Sequence, residues 1–202
     1  MEKIIIDGKS LTIDKVMEVA RFGKKIEIAE SSIKDVKDSR KIVDEFVENG
    51  DVVYGITTGF GKFSDVTIDK DETSQLQENL IMSHACGVGK AFDKEITKAI
   101  MILRINNLAK GYSGVRLKTL NTLVQMVNKD VCPIIPEKGS LGASGDLAPL
   151  AHMVLVMLGK GQAIYNDERI SGKKAMKMAG IETIDLTSKE VLALINGTQV
   201  MT

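Results

Sequence analysis

The run Gly139-Ser140-Leu141-Gly142-Ala143-Ser144-Gly145 holds three glycines and two serines, and Asp146 follows at the head of an apolar stretch. Small residues let a backbone fold back sharply. In a loop compressed that way, the Gly145 amide nitrogen can attack the Ala143 carbonyl carbon, glycine being the least hindered nucleophile for such a closure. Dehydration of the adduct and of Ser144 then leaves an imidazolone ring with an exocyclic methylene. That methylene is a strong electrophile, a function that no ordinary side chain supplies. The plainer alternative is a loop that opens a helix, with Ser144 or Asp146 as its cap.

A second glycine-rich stretch runs from Tyr54 to Gly61. Its Gly-x-x-x-Gly-x-Gly spacing is not that of a dinucleotide fingerprint, and Lys62 is not followed by Ser or Thr as a phosphate-binding loop requires. Spacing alone favours a structural turn. The two cysteines, Cys86 and Cys132, lie far apart and without metal-site spacing, and no metal is expected.

The elements that must position these loops read mainly as helices. Lys3–Ile6 forms a short strand ended by Asp7-Gly8. Ser10 or Thr12 caps a helix with Ile13, Val16, Met17 and Ala20 inside, and Ile26 and Ile28 mark a second strand. A longer helix starts at Ser31-Ser32, buries Ile33, Val36, Val43, Phe46 and Val47, and stops at Asn49-Gly50. Asp69 to Thr73 caps a helix through Leu76, Leu80, His84 and Cys86 that Gly87 and Gly89 close. The next runs from Asp93 with Ile96, Ile100, Leu103 and Asn107 on one face, and another begins near Ser113 and carries Leu117, Leu120, Val124 and Val127. Two prolines force 130–136 out of the helix. A helix follows from Asp146 to about Leu158, with Pro149 in its first turn. A hairpin turns at Asn166-Asp167, a short helix ends at Gly180, and Thr187 with Glu190 makes a capping-box pair for a last helix, Lys189 to Ile195.

Composition agrees with a globular helical protein. The 202 residues carry 27 basic and 27 acidic side chains, with 44% hydrophobic residues, three prolines, ten methionines and no tryptophan. Zero net charge gives no basic stripe for nucleic acid and no attraction to an anionic membrane. The longest oily stretch, Leu147 to Leu158, is too short to span a bilayer. A cytoplasmic protein with reduced thiols is expected.

The contiguous stretch from Gly139 to Leu150 resembles the signature of the aromatic amino acid ammonia-lyase and aminomutase family. Three further stretches agree in order. Tyr54-Gly55-Ile56-Thr57-Thr58-Gly59-Phe60-Gly61 is similar to the family's N-terminal active-site loop, and Asn79 to Gly87 to its substrate-selectivity helix. Leu192-Ala193-Leu194-Ile195-Asn196-Gly197-Thr198-Gln199 is similar to its asparagine turn. The resemblance covers essentially the whole chain. It implies a mainly α fold: an N-terminal lyase domain with short β elements, 1–110 forming a small helical/β region. Residues 111–202 would begin a central long-helix bundle that carries the Ala-Ser-Gly loop.

The resemblance also implies chemistry. Ala143, Ser144 and Gly145 would form 4-methylideneimidazole-5-one, with Asp146 assisting ring closure. The enzymes of the family eliminate ammonia from an L-amino acid. Tyr54 would remove the β-proton, Asn196 would contact the prosthetic group and the substrate's amino acid portion, and Phe60 and Leu80 would line the site. His84 suits a polar substrate ring, and family members acting on histidine read Ser-His-Ala, as Ser83-His84-Ala85 does here. Thr57 points the other way, toward the tyrosine and phenylalanine enzymes, whose histidine counterparts place Asn there. Val191 also departs from a glycine common in that motif. L-histidine is therefore the expected substrate, with a tyrosine or phenylalanine lyase or aminomutase, or a non-catalytic helical interaction module, as alternatives. Family members are longer and form homotetramers whose active sites draw on three subunits. The second half of such a protein supplies the arginine that clamps the carboxylate. The expectation is an N-terminal portion with little activity alone and an unprocessed Ala143-Ser144-Gly145.

Overall fold

The computed structural model describes residues 2–58, 70–140 and 145–202. The architecture is mainly α with short strands, as the sequence predicts. β1 (Ile4–Ile6) and β2 (Ile26–Ile28) pair in parallel, and α1 (Ile13–Ala20) crosses between them. Thr12 caps α1 by accepting the Lys15 amide at 3.3 Å. α2 (Glu30–Asn49) ends at Gly50, whose φ of 73° suits a left-handed cap. α3 (Lys70–His84) leads to β3 (Val88–Ala91), and Asp93 caps α4 (Lys94–Leu108) by accepting the Ile96 amide at 2.8 Å.

α5 (Leu117–Asn128) follows, then β4 (Cys132–Pro133) and β5 (Pro136–Lys138). α6 (Leu147–Met157) is buried on nearly every side and lies at the centre, packed against α3, α7 and α8. β6 (Gln162–Tyr165) and β7 (Glu168–Ser171) form a hairpin. Asn166 and Asp167 both take positive φ at its tip, the two-residue turn whose twist matches the strands. α7 (Gly172–Met178) and α8 (Glu190–Ile195) complete the chain. One apolar cluster runs from Ile4 to Ile195 and joins all these layers. Among the described residues, no helix is long and apolar enough to cross a membrane.

Three local readings give way to the structure. β3 pairs antiparallel with β5 where only helix-closing glycines were expected. Its pairing is irregular between Val88 and Ala91, which hides the two-residue alternation that marks a strand. α5 starts at Leu117 rather than near Ser113 because Gly114 has φ 66° and leaves no room for a Cβ beside Val43. Its carbonyl instead accepts Arg40 Nη1 at 3.1 Å. The inner face of α4 is broader than one stripe. Thr97, Ile100, Met101, Arg104, Ile105 and Leu108 are buried, while Ile96 is exposed, because α1 and α5 cover the helix from two sides.

Candidate functional site

Three of the sequence-selected residues fall where two chain segments meet. The first segment is the start of α6, with Gly145 and Asp146. The second is the turn that leaves α8, from Asn196 to Thr202. Gly145 has φ 74°, a conformation that disfavours any side chain, and a Cβ there would lie 2.9 Å from Met201 Sδ and 3.1 Å from Ser140 Oγ. Asp146 stands at the N-cap position of α6 yet makes no side-chain cap. Its carboxylate turns away from its own helix, and Oδ2 accepts the Val200 amide at 2.7 Å. The helix-capping alternative is thereby corrected for Asp146: a contact 54 residues further along outcompetes a local one.

Asp146 is fully buried, and its Oδ1 has no hydrogen-bond partner among the described residues. Burial raises its pKa above the ordinary aspartate value. The Val200 and Met201 amides and the Arg104 charge pull it back down. Arg104, 2% exposed, is the cation in question, and composition gives no hint of it. Its Nη1 donates to Gln199 Oε1 at 3.1 Å and its Nη2 to the Ala193 carbonyl, while Nε has no partner among the described residues. Burial brings its pKa down to about 10, and the Asp146 charge opposes that shift. Gly197 is needed for space: a Cβ there would come within 2.5 Å of Arg104 Nη1.

Asn196 itself is exposed at the C-cap of α8, with its amide donating to the Leu192 carbonyl at 3.2 Å. α8 is fixed from below by Glu190. That carboxylate is fully buried and accepts Arg116 Nε at 3.1 Å and Nη2 at 2.6 Å. The Thr187 amide also donates to Glu190, at 3.1 Å, so half of the expected capping box forms. The helix nevertheless begins at Glu190 rather than Lys189, because Lys189 adopts φ 73°.

His84 closes α3, half-buried, with Nδ1 2.8 Å from the Leu80 carbonyl. A carbonyl can only accept, so Nδ1 carries a proton there. Leu80 packs against the core. Three residues beyond His84, the Gly87 amide donates to His152 Nε2 at 3.0 Å, tying the end of α3 to α6. Burial lowers the His152 pKa, consistent with a neutral ring accepting that bond. Tyr54 is 62% exposed on a turn whose Val53 amide donates to Thr57 Oγ1 at 2.9 Å. Ala143, Ser144 and Phe60 lie outside the described residues. The structure therefore joins Gly145 and Asp146 to the turn that Asn196 opens. It leaves Tyr54 exposed and places His84 at the end of the neighbouring helix.

The cysteines take no part in this cluster. Cys132 is buried and its thiol is pushed up to about 12 by burial and by Asp130, while Cys86 is exposed. Among the described residues no group of His, Cys, Asp or Glu could hold a metal ion.

A mainly helical fold thus brings Gly145 and a buried aspartate against the turn that Asn196 opens. Residues 11–202 match the sequence profile of the aromatic amino acid lyases, and the chain belongs to that family. It is 62% identical over 201 residues to the histidine ammonia-lyase of Caldanaerobacter subterraneus subsp. tengcongensis. That match takes in 100% of this chain and 40% of the relative. Among solved structures, the histidine ammonia-lyase from Trypanosoma cruzi superimposes with TM-score 0.92 at 37% identity, over 99% of this chain and 38% of that one. The ergothioneine-degrading ergothionase from Treponema denticola superimposes with TM-score 0.94 at 30% identity, over 98% of this chain and 40% of that one. The chain thus spans about 40% of the length of its curated relative.

Proposed function

We propose that this chain is the N-terminal portion of a histidine ammonia-lyase, which converts L-histidine to trans-urocanate and ammonia. The observation that carries the reading is the 62% identity to a histidine ammonia-lyase across the whole chain. Ser83-His84-Ala85 adds a polar imidazole on the selectivity helix, and its Nδ1 is held by the Leu80 carbonyl.

The residues present fit the prosthetic group that the family implies. Gly145 is pressed against Met201 and Ser140 with no room for a Cβ, and Asp146 Oδ1, without a partner among the described residues, sits beside it in the chain. Ala143, Ser144 and Gly145 would supply 4-methylideneimidazole-5-one, an electrophile that activates the substrate amino group as a leaving group. In this reading Tyr54 takes the β-proton, Asn196 orients the amino acid portion, and Asp146 assists ring formation. His84 faces the substrate ring, with Leu80 and Phe60 lining the site. The exposure of Tyr54 and Asn196 suits a site completed by other parts of a longer chain and by neighbouring subunits of a cytoplasmic homotetramer.

The test joins this chain to the remainder of its 62%-identical relative and offers L-histidine and L-tyrosine in competition. Urocanate as the dominant product is expected, and the chain alone should show little activity. Dominant formation of a tyrosine-derived product would refute the assignment of substrate. Intact mass adds an independent readout, since ring formation removes two waters, about 36 Da.

A further inference from the structure

We infer that Arg104 is the positioning residue of this site. Its guanidinium grips the end of α8 and the turn after Asn196 at one point each and sets a positive charge against the buried Asp146 carboxylate, so that the start of α6 and the turn are held as one unit. The inference rests on the lyase reading for its chemical purpose, though not for its geometry.

The two contacts come from one planar group. Nη2 binds the Ala193 carbonyl near the end of α8, and Nη1 binds the Gln199 side chain at 3.1 Å, on the far side of Asn196. Asn196 is thus bracketed by residues held on the same rigid fork. From the other side, Asp146 Oδ2 holds the Val200 amide at 2.7 Å, one residue after Gln199. Cation and anion therefore grip adjacent residues of the same turn from α4 and α6. Gly197 leaves the space through which the guanidinium reaches the turn.

The charge balance is local. Lys189 also lies near Arg104, and its pKa is lowered by burial and by the Arg104 charge. Asp146 is thus the acid set against the buried Arg104. Removing the Arg104 charge leaves Asp146 buried without it, and the carboxyl then gains protons more readily.

The consequence is for ring closure. In that step a C–N bond forms between the Gly145 nitrogen and the Ala143 carbonyl carbon. The carbonyl oxygen leaves as water with the Gly145 and Ser144 amide protons. The Ser144 hydroxyl leaves as a second water with its α-proton, and no oxidant or reductant is consumed. Arg104 forms no bond in this sequence. It holds the turn that Asp146 binds, and through it the start of α6.

The experiment compares the 202-residue chain with R104K and R104M, following the Asp146 carboxyl titration by NMR and hydrogen exchange of the 197–202 amides. R104M fills the volume without charge. It should raise the Asp146 titration midpoint and speed turn exchange at least about tenfold. R104K keeps the charge and loses the fork, so Asp146 should titrate as in the parent while turn exchange still rises. Parent-like titration and exchange in R104M overturn the inference. If R104M fails to fold, parent-like turn exchange in R104K does so alone. In the chain joined to the remainder of its relative, the parent should lose about 36 Da and R104M should not. Equal loss in both overturns the link to ring closure. A parent that keeps its full mass counts against the lyase reading and leaves the titration and exchange results standing.

Discussion

Replacing Glu190 with glutamine should destabilise the protein by about 2 kcal/mol, and replacing it with alanine by about 3–4 kcal/mol. The magnitude follows from the donors that surround this carboxylate. Oε1 accepts the Arg116 amide at 3.0 Å and the Thr119 hydroxyl at 2.6 Å. Oε2 accepts Arg116 Nε, Arg116 Nη2 and the Thr187 amide. A glutamine has one acceptor oxygen and one NH2 group. Its better orientation puts the NH2 at the Oε1 position, where Thr119 can rotate and accept. The Arg116 amide then faces a donor, and the charge attraction to the guanidinium is gone. Each charge-assisted bond contributes about 1.5–3 kcal/mol. The Arg116 side chain is 34% exposed, however, so water screens part of the loss.

Alanine breaks the pair outright, for which about 3–5 kcal/mol is the buried limit before that screening. Urea unfolding measures the change as a shift of the midpoint at constant slope. Because Glu190 is the first residue of α8, exchange of the 191–196 amides should accelerate in E190Q before the core loosens. An E190Q protein within about 0.5 kcal/mol of the parent would refute the reasoning, since it would mean that the five donors find equal partners elsewhere.

Two further perturbations probe the contacts around the glycine-rich loop. His152 has a folded pKa below its ordinary 6.5, so the unfolded chain binds more protons just below that value. Its contribution to stability is present above pH 6.5 and is lost as pH falls through the folded pKa. Urea midpoints should drop as pH falls from about 7.5 to about 5.5, less so in H152Q, and equal slopes in both proteins would refute the linkage through the buried His152. Gly145→Ala should cost about 1–2 kcal/mol from the left-handed backbone alone. Adding M201A should recover little of it, because the Met201 thioether is the flexible, exposed end of the clash. Full recovery, read by thermal or urea unfolding, would show that sterics rather than φ dominate.

Much of the scaffold was legible because it obeys local rules. Thr12 and Asp93 cap their helices, Pro149 lies in a first turn, and Asn166-Asp167 turns a hairpin, each through chemistry confined to a few residues. The residues that hold the candidate site were not legible in that way. Arg40 occupies the apolar stripe of α2 between Val36 and Val43, and it spans to the Gly114 and Ser188 carbonyls. Arg104 does the same on α4. A periodicity reading scores such arginines as breaks in a hydrophobic face, because their partners lie 74 to 148 residues away. Asp146 was legible as a residue at a helix start. Its real partner, the Val200 amide, belongs to tertiary structure alone.

These buried polar groups share one destination, which explains why a core would tolerate them. α8 has six residues, too few to persist by itself, and its N-cap Lys189 is left-handed with no side-chain cap. Apolar packing of Val191, Leu194 and Ile195 can seat such a helix but leaves its rotation and the following turn loosely defined. Directional bonds remove that freedom. Gln77 holds the Val191 amide, Arg40 the Ser188 carbonyl, Glu190 ties the helix to α5, and Arg104 and Asp146 grip the adjacent residues Gln199 and Val200 of the turn. Each buried charge carries a desolvation cost that a purely apolar core would avoid. What they supply is position, and the residue they position is Asn196, at the junction of α8 with the turn that closes over Gly145.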